Sequence, residues 1–249
     1  MVNNRKLRRN IAKKTTNPRM KKILISQSNY IPWKGYFEMI SKVDEFIIYD
    51  DVQYTKNDWR NRNKIKTPNG VNWITIPVRH RLSQNIKDIK ISDPKWNLKH
   101  WKSLQTNYSK AKHFNELKSI FEPLYFLRNE SFLSEINYAF IKAINAYLGI
   151  RTTITRSSDY ELKGDRSERL LYLCKQAKAS TYLTGPSASN YLDETLFQQE
   201  QINIEWMNYT NYIEYPQLFP PFDHGVTILD LIFNTGMDSI KYFIQTTSS

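Results

Sequence analysis

Short apolar runs and amphipathic stretches alternate along most of the chain. Near the start, an apolar run at residues 22–27 leads into a polar, proline-containing turn, a short amphipathic stretch and a second apolar run at residues 45–50. Short, continuous apolar runs bounded by turn residues are typical of buried strands. This order predicts a strand, a loop, a helix and a second strand.

A third apolar run lies at residues 71–78, after a polar stretch. Trp73, Ile74 and Ile76 in this run predict a buried strand, and the shorter run at residues 86–91 is expected to pair with it as a hairpin. The stretch before it, residues 53–70, is polar.

The spacing of apolar residues changes twice after residue 94. Apolar residues recur every three or four positions over residues 95–148, which predicts helices, and Gly149 fits a helix end. Strand and helix patterns then alternate over residues 152–208, as in parallel sheets with helical crossovers. We therefore expect an α/β fold: a mostly parallel sheet with flanking helices and a helical insertion at about residues 95–148.

Charge is concentrated at the start of the chain. Nine of the 36 lysines and arginines lie in residues 1–22, which hold no acid; the other 27 stand against 24 acids. We expect residues 1–21 to be a disordered basic arm and residues 22–249 to form a single domain. The arm is either a tether for nucleic acid or anionic lipid, or an extension upstream of a start at Met20.

Several classes of protein are excluded by what the chain lacks. No run of about 18 apolar residues is present for a membrane span, and the arm has no apolar core of a secretory signal, so we expect a cytoplasmic protein. Cys174 is the only cysteine and lies on the apolar face of a predicted helix, which indicates a buried thiol. The four histidines are scattered, so no metal site is predicted.

The loop after the first strand is the first candidate site. Ligands of open α/β sheets bind at the carboxyl ends of strands. We therefore predict that Gln27 and Tyr30 contact a ligand, that Gly35 allows close backbone approach, and that Trp33 and Tyr36 flank a planar group. The alternative is that the aromatic residues only pack the helix onto the sheet.

Two further residues are candidates for acid–base chemistry. Asp50 and Asp51 end the second strand, and such paired acids could bind a ribose diol, a metal or an amine, although one is more often a helix cap or ion-pair partner. Of the two we predict that Asp50 is functional, and that Gln53 beside it contacts the ligand. His224 follows a proline-rich loop and precedes a helix, and it is the only histidine predicted to act on a proton.

Two polar segments are candidates for phosphate recognition. Residues 56–66 hold five bases, three asparagines and a tryptophan, and we predict phosphate contacts from Lys56, Arg62, Asn63 and Lys64. A solvated loop is the alternative. Residues 184–193 form another strand-to-helix turn with the predicted ligand-contacting residues Gly185, Pro186, Ser187, Tyr191 and Asp193. Ordinary turn chemistry would also explain that segment.

Common catalytic motifs are absent. The chain has no GxSxG, Walker A, GxGxxG or HExxH motif, which argues against the usual hydrolase, P-loop nucleoside triphosphatase, Rossmann dehydrogenase and zinc protease classes.

An ordered set of segments resembles a known family. QSNYIPWKGYFEMI, DDVQY, NRNKIK, NWITIPV, GPSASNYLD and TILDLIFNTG, spread over residues 22–243, are similar to the WbqC-like family of bacterial proteins. That family is associated with O-antigen and related surface-polysaccharide biosynthesis. The resemblance implies a cytoplasmic enzyme that acts on an activated sugar or its acyl substituent.

A more distant likeness concerns the first loop. A strand followed by a polar-Pro-x-Gly helix start resembles the HxGH loop of nucleotidyltransferases and amide-forming ligases, which implies a HUP-like three-layer arrangement. Trp33 and Tyr36 stand where the histidines of that motif would fall. The departure argues against adenylyl transfer and leaves nucleotide binding open.

Together these features predict an enzyme that binds a nucleotide-linked sugar and transfers an acyl or aminoacyl group to an amino sugar. In this hypothesis the Arg62/Lys64 cluster holds the diphosphate, Trp33 and Tyr36 contact base or sugar, and Asp50 or His224 handles a proton. A non-catalytic binding or assembly protein and a nucleic-acid-binding protein are the alternatives. The sequence identifies no cofactor.

Overall fold

The structure, a computed structural model, describes residues 20–126 and 130–243. In these ranges the strands are β1 (Lys22–Ser26), β2 (Glu45–Ile48), β3 (Arg62–Thr67), β4 (Gly70–Thr75), β5 (Val78–Arg79), β6 (Lys90–Ile91), β7 (Thr153–Arg156), β8 (Thr181–Thr184) and β9 (Asn203–Trp206). The α-helices are α1 (Lys34–Ser41), α2 (Trp96–Tyr108), α3 (Phe114–Phe126), α4 (Leu133–Leu148), α5 (Arg166–Gln176), α6 (Glu194–Gln199) and α7 (Ile228–Thr235).

Five of these strands form one parallel sheet in the order β7-β2-β1-β8-β9. β1 lies at the centre, where Ile23 is in register with Glu45 of β2 and with Tyr182 of β8. From β1 the chain adds strands outward on one side through β7, then crosses β1 to add β8 and β9 on the other. This reversal creates a topological switch point between β1 and β8, where open α/β sheets leave a crevice.

Apolar side chains cover both faces of the sheet because successive residues of a strand point to opposite faces. Leu24 and Phe46 face the larger core, which includes side chains of α1, α2, α3, α4 and α7. Ile23 and Ile25 face a second core built with α5 and α6. The predicted α/β class, with a mostly parallel sheet and flanking helices, is confirmed. The HUP-like arrangement stays a prediction.

Helices α2, α3 and α4 occupy the segment predicted to be helical, and they pack on one another. Gly149 ends α4 in a left-handed conformation with φ of 69°, which a glycine adopts without steric cost. Cys174 of α5 is buried in the second core, and burial raises the pKa of its thiol. The expected core cysteine is therefore found.

The hairpin prediction is wrong in its partners. β3 lies within the polar stretch at residues 53–70, and it pairs antiparallel with β4. Only the two residues of β5 pair with β6. Trp73, expected to be buried, is 43% exposed, because Ile74 points to the core and its neighbour must point away.

Residues 1–19 of the predicted basic arm lie outside the described residues. Lys21, at its end, belongs to the fold: its Nζ donates to the carbonyl of Ala177 at 2.8 Å and pairs with Glu45 at 2.6 Å. The division into an arm and a single domain stays a prediction. Among the described residues, no helix is long and apolar enough to cross a membrane.

A buried carboxylate ties the C-terminal part of the fold together. Asp230 of α7 is fully buried and accepts hydrogen bonds from the hydroxyl groups of Tyr108 at 2.8 Å and Tyr215 at 2.6 Å, and from Nε2 of Gln217 at 2.8 Å. The Tyr108 hydroxyl in turn accepts from the backbone N–H of Lys66 in β3. Burial raises the pKa of Asp230. One carboxylate thus connects α2, α7, β3 and the loop around residue 216.

We predict that Asp230→Ala lowers the free energy of unfolding by about 3–5 kcal/mol, because two buried tyrosine hydroxyl groups and the half-buried Gln217 amide lose their acceptor at about 1–3 kcal/mol each, with partial relaxation. Urea unfolding followed by circular dichroism measures the change. Asp238→Ala is the control: its ion pair with Lys241 is exposed to solvent, so the loss should be much smaller than in Asp230→Ala. Equal losses in the two variants would contradict the role of Asp230.

Candidate functional site

A cavity of about 820 Å³ opens at the switch point between β1 and β8. Ser26 ends β1 and Gln27 follows it, while Thr184 ends β8 and Gly185 follows it; all four line the cavity, which we call the cleft. The carboxyl ends of the two central strands therefore form its floor, in the position where ligands bind to such sheets.

The start of α5 forms another wall of the cleft. Asp165 is the N-cap residue of this helix, its backbone N–H donates to the Glu168 carboxylate at 3.4 Å, and it lines the cleft together with Arg166 and Arg169. Arg169 also donates to the carbonyl of Gly164 through Nε and Nη2, at 3.2 and 2.9 Å, which orders the loop before the helix. The first turn of α5 and its two arginines thus border the same space.

The charge of the cleft is positive. Arg60, Arg166 and Arg169 line it, and Asp165 is the only carboxylate among its lining residues. Arginine binds phosphate and carboxylate groups through paired N–H donors, and such a pocket attracts anions. The arrangement suits an anionic ligand.

Two tyrosines add aromatic surface with neutral hydroxyl groups. Tyr49 and Tyr191 line the cleft, and burial raises the pKa of both phenols. The nearby guanidinium of Arg169 opposes that rise in the pKa of Tyr49. At neutral pH both hydroxyl groups keep their protons, so they can donate to an anion while their rings contact an apolar or planar group.

Arg60 reaches the cleft from the segment before β3. Its Nη1 donates to Oδ1 of Asn29, and its Nη2 lies 3.5 Å from Asp58. The Tyr36 hydroxyl donates to the carbonyl of Gln27 at 2.9 Å. These contacts hold the loop after β1 in place at the floor of the cleft.

The structure brings four of the predicted ligand-contacting residues together: Gln27, Gly185, Ser187 and Tyr191 all line the cleft. Pro186 begins the single helical turn between Gly185 and Tyr191. Asp193 is outside the lining; it caps α6 by accepting a hydrogen bond from the N–H of Thr195 at 3.0 Å. Three of these four cleft residues therefore come from the strand-to-helix turn at residues 184–193, and one comes from the loop after β1.

The aromatic residues of the first loop have packing roles. Tyr30 is fully buried and its hydroxyl bonds to Nδ1 of His100 at 2.9 Å and to the Tyr125 hydroxyl at 3.0 Å. Tyr36 is also buried, with its ring edge-on to Phe46. Both side chains lie in the core and outside the cleft lining, which for Tyr36 agrees with the packing alternative.

The missing side chain of Gly35 makes room for Trp33. A Cβ atom at Gly35 would lie 2.4 Å from the Trp33 ring, which is held between Tyr209 and Tyr212 at centroid distances of 5.1 and 5.7 Å. Because a carbon contact that short is not tolerated, the glycine permits the indole to pack over the start of α1.

Asp50 lies beside the cleft and is already bonded. It is 4% exposed and accepts from the N–H and Oγ of Ser28, at 2.8 and 2.7 Å, and from Oγ of Ser134 at 2.7 Å. Burial raises its pKa. Its contacts with Ser28 and Ser134 join the first loop to α4. Asp50 also borders a separate cavity of about 290 Å³. Gln53, after it, is exposed and forms a backbone bridge to Asn85.

The predicted phosphate cluster divides between core and surface. Asn63 is buried and donates to the carbonyls of Tyr30 at 3.1 Å and Ile31 at 2.8 Å. Arg62 and Lys64 lie on the outer face of the β3–β4 hairpin, and Lys56 is exposed in the preceding loop; none of these four belongs to the cleft lining. Arg60 of the same segment does.

Arg166 and Arg169 were missed by the sequence reasoning. The available signal was their place at the start of a helix that follows the edge strand β7, the same strand-to-helix position that singled out the other loops. Their proximity to Gln27, however, depends on α5 lying over the switch point.

His224 lies with Lys34 in an aromatic cluster outside the cleft lining. Lys34 is 2% exposed; its Nζ lies 4.6 Å from the centre of the Tyr212 ring and donates to the carbonyl of Ile213 at 3.4 Å. Burial lowers the pKa of Lys34 to about 8, with Glu38 opposing the shift. Nδ1 of His224 has no hydrogen-bond partner in the described part of the chain, and burial and the Lys34 charge lower its pKa.

No cluster of three or more histidine, cysteine, aspartate or glutamate side chains is placed to hold a metal ion in residues 20–126 and 130–243.

Comparison with known proteins identifies relatives of the chain. The sequence model of a family described as the WbqC-like protein family matches residues 27–242. A protein of Mycobacterium tuberculosis described as uncharacterized is 48% identical over 225 residues, which cover 90% of this chain and 97% of that protein. No solved structure matches the chain significantly.

The buried lysine gives a pH-dependent prediction. The pKa of Lys34 is about 8 in the folded chain and near 10.5 for an exposed lysine, so between these values the unfolded chain binds more protons. The free energy of unfolding contributed by Lys34 should therefore rise with pH across this window, and its penalty should be largest below pH 8.

Urea unfolding of the wild type and Lys34→Met at about pH 7.5 and about pH 9.5 tests this prediction, with the exposed Lys102→Met as control. Lys34→Met should lose the rise with pH, while Lys102→Met should keep it. The same pH dependence in all three proteins would show that Lys34 keeps its proton over this range.

Proposed function

The chain belongs to the WbqC-like protein family, and on that premise we propose that it binds a nucleotide-linked sugar in the cleft, as an enzyme of bacterial surface-polysaccharide (O-antigen) biosynthesis. The observation that carries the binding proposal is the cleft itself: it lies at the switch point of a parallel sheet and three arginines line it. The pathway rests on the resemblance of the sequence to the family.

The diphosphate is the part of such a ligand that the cleft suits best. Arg60 approaches from the first loop side, and Arg166 approaches from the start of α5. These two arginines, which come from different segments of the chain, can each form paired hydrogen bonds with phosphate oxygens. The N-terminal end of α5 adds a favourable dipole for a negative charge.

The size and lining of the cleft suit the remainder of the ligand. A cavity of about 820 Å³ lies within the range of small-molecule sites, roughly 300–1,000 Å³. Tyr49 and Tyr191 offer ring surface and hydroxyl donors for a base or a sugar, and the side chains of Gln27 and Ser187 offer further hydrogen bonds.

Transfer of an acyl or aminoacyl group to an amino sugar is the reaction we propose for this site. In such a reaction the amino nitrogen of the sugar bonds to the acyl carbon of an activated donor, the leaving group of that donor departs with the electron pair of the broken bond, and the amine proton passes to water. The site must therefore supply positioning and stabilise the developing oxyanion. The arginines and the Ser187 hydroxyl supply positioning and anion stabilisation. Asp50 and His224 lie outside the cleft lining, so the proposal assigns them no contact with the ligand.

A non-catalytic binding protein of the same pathway is the second candidate. Three arginines and a single carboxylate, Asp165, line the cleft, which leaves it better equipped for binding an anion than for proton transfer. Turnover of a nucleotide-linked amino sugar with an acyl donor by the purified protein separates the two candidates.

We predict that a UDP- or dTDP-linked amino sugar raises the melting temperature of the full chain. At a ligand concentration of 100 times Kd the stabilisation is about 2.7 kcal/mol, or roughly 5–10 °C for a chain of this size. Arg166→Gln should weaken binding at least about tenfold, since hydrogen bonds to charged groups contribute about 1.5–3 kcal/mol.

Arg151→Gln, an exposed arginine beyond the end of α4, is the matched control and should bind like the wild type. If no nucleotide or nucleotide sugar raises the melting temperature, or if both arginine variants bind equally well, the proposed ligand is wrong.

A further inference from the structure

Two tryptophans form an exposed pair beside the β3–β4 hairpin. Trp59 and Trp73 are 41% and 43% exposed, and their ring centroids lie 5.1 Å apart with an angle of 41° between the planes. The other four tryptophans of the chain are buried or half-buried. A large aromatic surface left in water on an otherwise well-packed protein is a frequent mark of a binding surface.

Cations surround the two indole rings. Trp73 is directly opposite Lys64 in the hairpin register, and Nζ of Lys64 lies 5.3 Å from the Trp73 ring centre and 6.0 Å from that of Trp59. Cζ of Arg62 lies 4.2 Å from the Trp73 ring centre. The register of the hairpin therefore places aromatic surface and positive charge together on its outer face.

This patch adjoins the cleft. Trp59 directly precedes Arg60, which lines the cleft, and the carbonyl of Trp59 accepts a hydrogen bond from the N–H of Tyr30 in the first loop at 3.0 Å. The backbone of residues 59 and 60 is thus shared by the exposed pair and by the wall of the cleft, so a ligand on the patch would lie near a ligand in the cleft.

We propose that Trp59, Arg62, Lys64 and Trp73, here called the indole–cation surface, bind a saccharide that carries a carboxylate or phosphate. The apolar C–H face of a pyranose ring packs on an indole, and its polar edge remains in water. The anionic substituent matches the cations, which are held over the same rings. That this saccharide lies next to a nucleotide-linked sugar bound in the cleft rests on the proposed function.

Charge favours a short anionic saccharide over a nucleic acid. Single-stranded nucleic acids bind aromatic residues along a continuous basic track with many phosphate contacts. Beyond residue 22 the chain has 27 bases against 24 acids, and Asp58 lies next to the patch, paired with Arg60. Two cations suit one or two anionic groups.

Isothermal titration of the full-length protein tests the proposal. The probes are trigalacturonate, mannose 6-phosphate and neutral maltotriose, with a uridine decanucleotide and vesicles containing phosphatidylglycerol as the competing ligands. The variants are Trp73→Ala and Lys64→Gln. Phe132→Ala is the matched control, because Phe132 is a partly exposed ring with a lysine, Lys90, 5.2 Å from its centre.

We expect trigalacturonate or mannose 6-phosphate to bind the wild type, maltotriose to bind at least tenfold more weakly, and Trp73→Ala and Lys64→Gln each to weaken binding at least tenfold. Phe132→Ala should bind normally. No binding of either anionic saccharide, unchanged binding in Trp73→Ala, or tryptophan-dependent binding of the oligonucleotide or the vesicles in place of the saccharides would overturn the proposal.

The melting temperature with UDP-linked sugars separates this proposal from the proposed function. Trp73→Ala and Lys64→Gln should keep the ligand-induced rise that Arg166→Gln loses. If UDP-sugars raise the melting temperature of the wild type but no anionic saccharide binds, nucleotide-sugar binding in the cleft is supported and saccharide binding at the indole–cation surface is refuted. If an anionic saccharide binds but UDP-sugars do not raise the melting temperature, only the proposed nucleotide-sugar ligand is refuted.

Discussion

The central position of β1 determines where this protein can bind a ligand. β1 pairs in parallel with β2, some twenty residues later in the chain, and with β8, which follows only after the hairpins and the helical segment. Because the chain extends the sheet outward in both directions from this strand, the loops after β1 and β8 leave in different directions and a crevice opens between them. The arginines of α5 and of the segment before β3 both reach that crevice.

Two buried carboxylates stabilise the loops around this arrangement. Asp50 binds Ser28 and Ser134, which joins the loop after β1 to α4, and Asp230 joins α7 to Tyr108 and Tyr215. A buried carboxylate with three donors is costly to remove, since its donors would remain buried without a partner. Buried carboxylates therefore stabilise the elements that surround the cleft without lining it.

The candidate site was predictable in part. The strand-end rule pointed to Gln27, Gly185, Ser187 and Tyr191, which all line the cleft, because the end of an apolar run can be read locally; their contact with a ligand stays a prediction. The same rule could not separate residues that face the cleft from those that face the core, so Tyr30 was predicted to contact a ligand although it is fully buried. Arg166 was not predicted at all.

Apolar periodicity by itself determined the class of fold, the helical segment and the buried Cys174, because each of these depends on residues close together in the chain. Tertiary structure alone decided which strands are neighbours, which face of β4 meets the core and which arginines share a space. Those outcomes depend on contacts between residues far apart in sequence, as when Trp73 becomes exposed because Ile74 packs on the core.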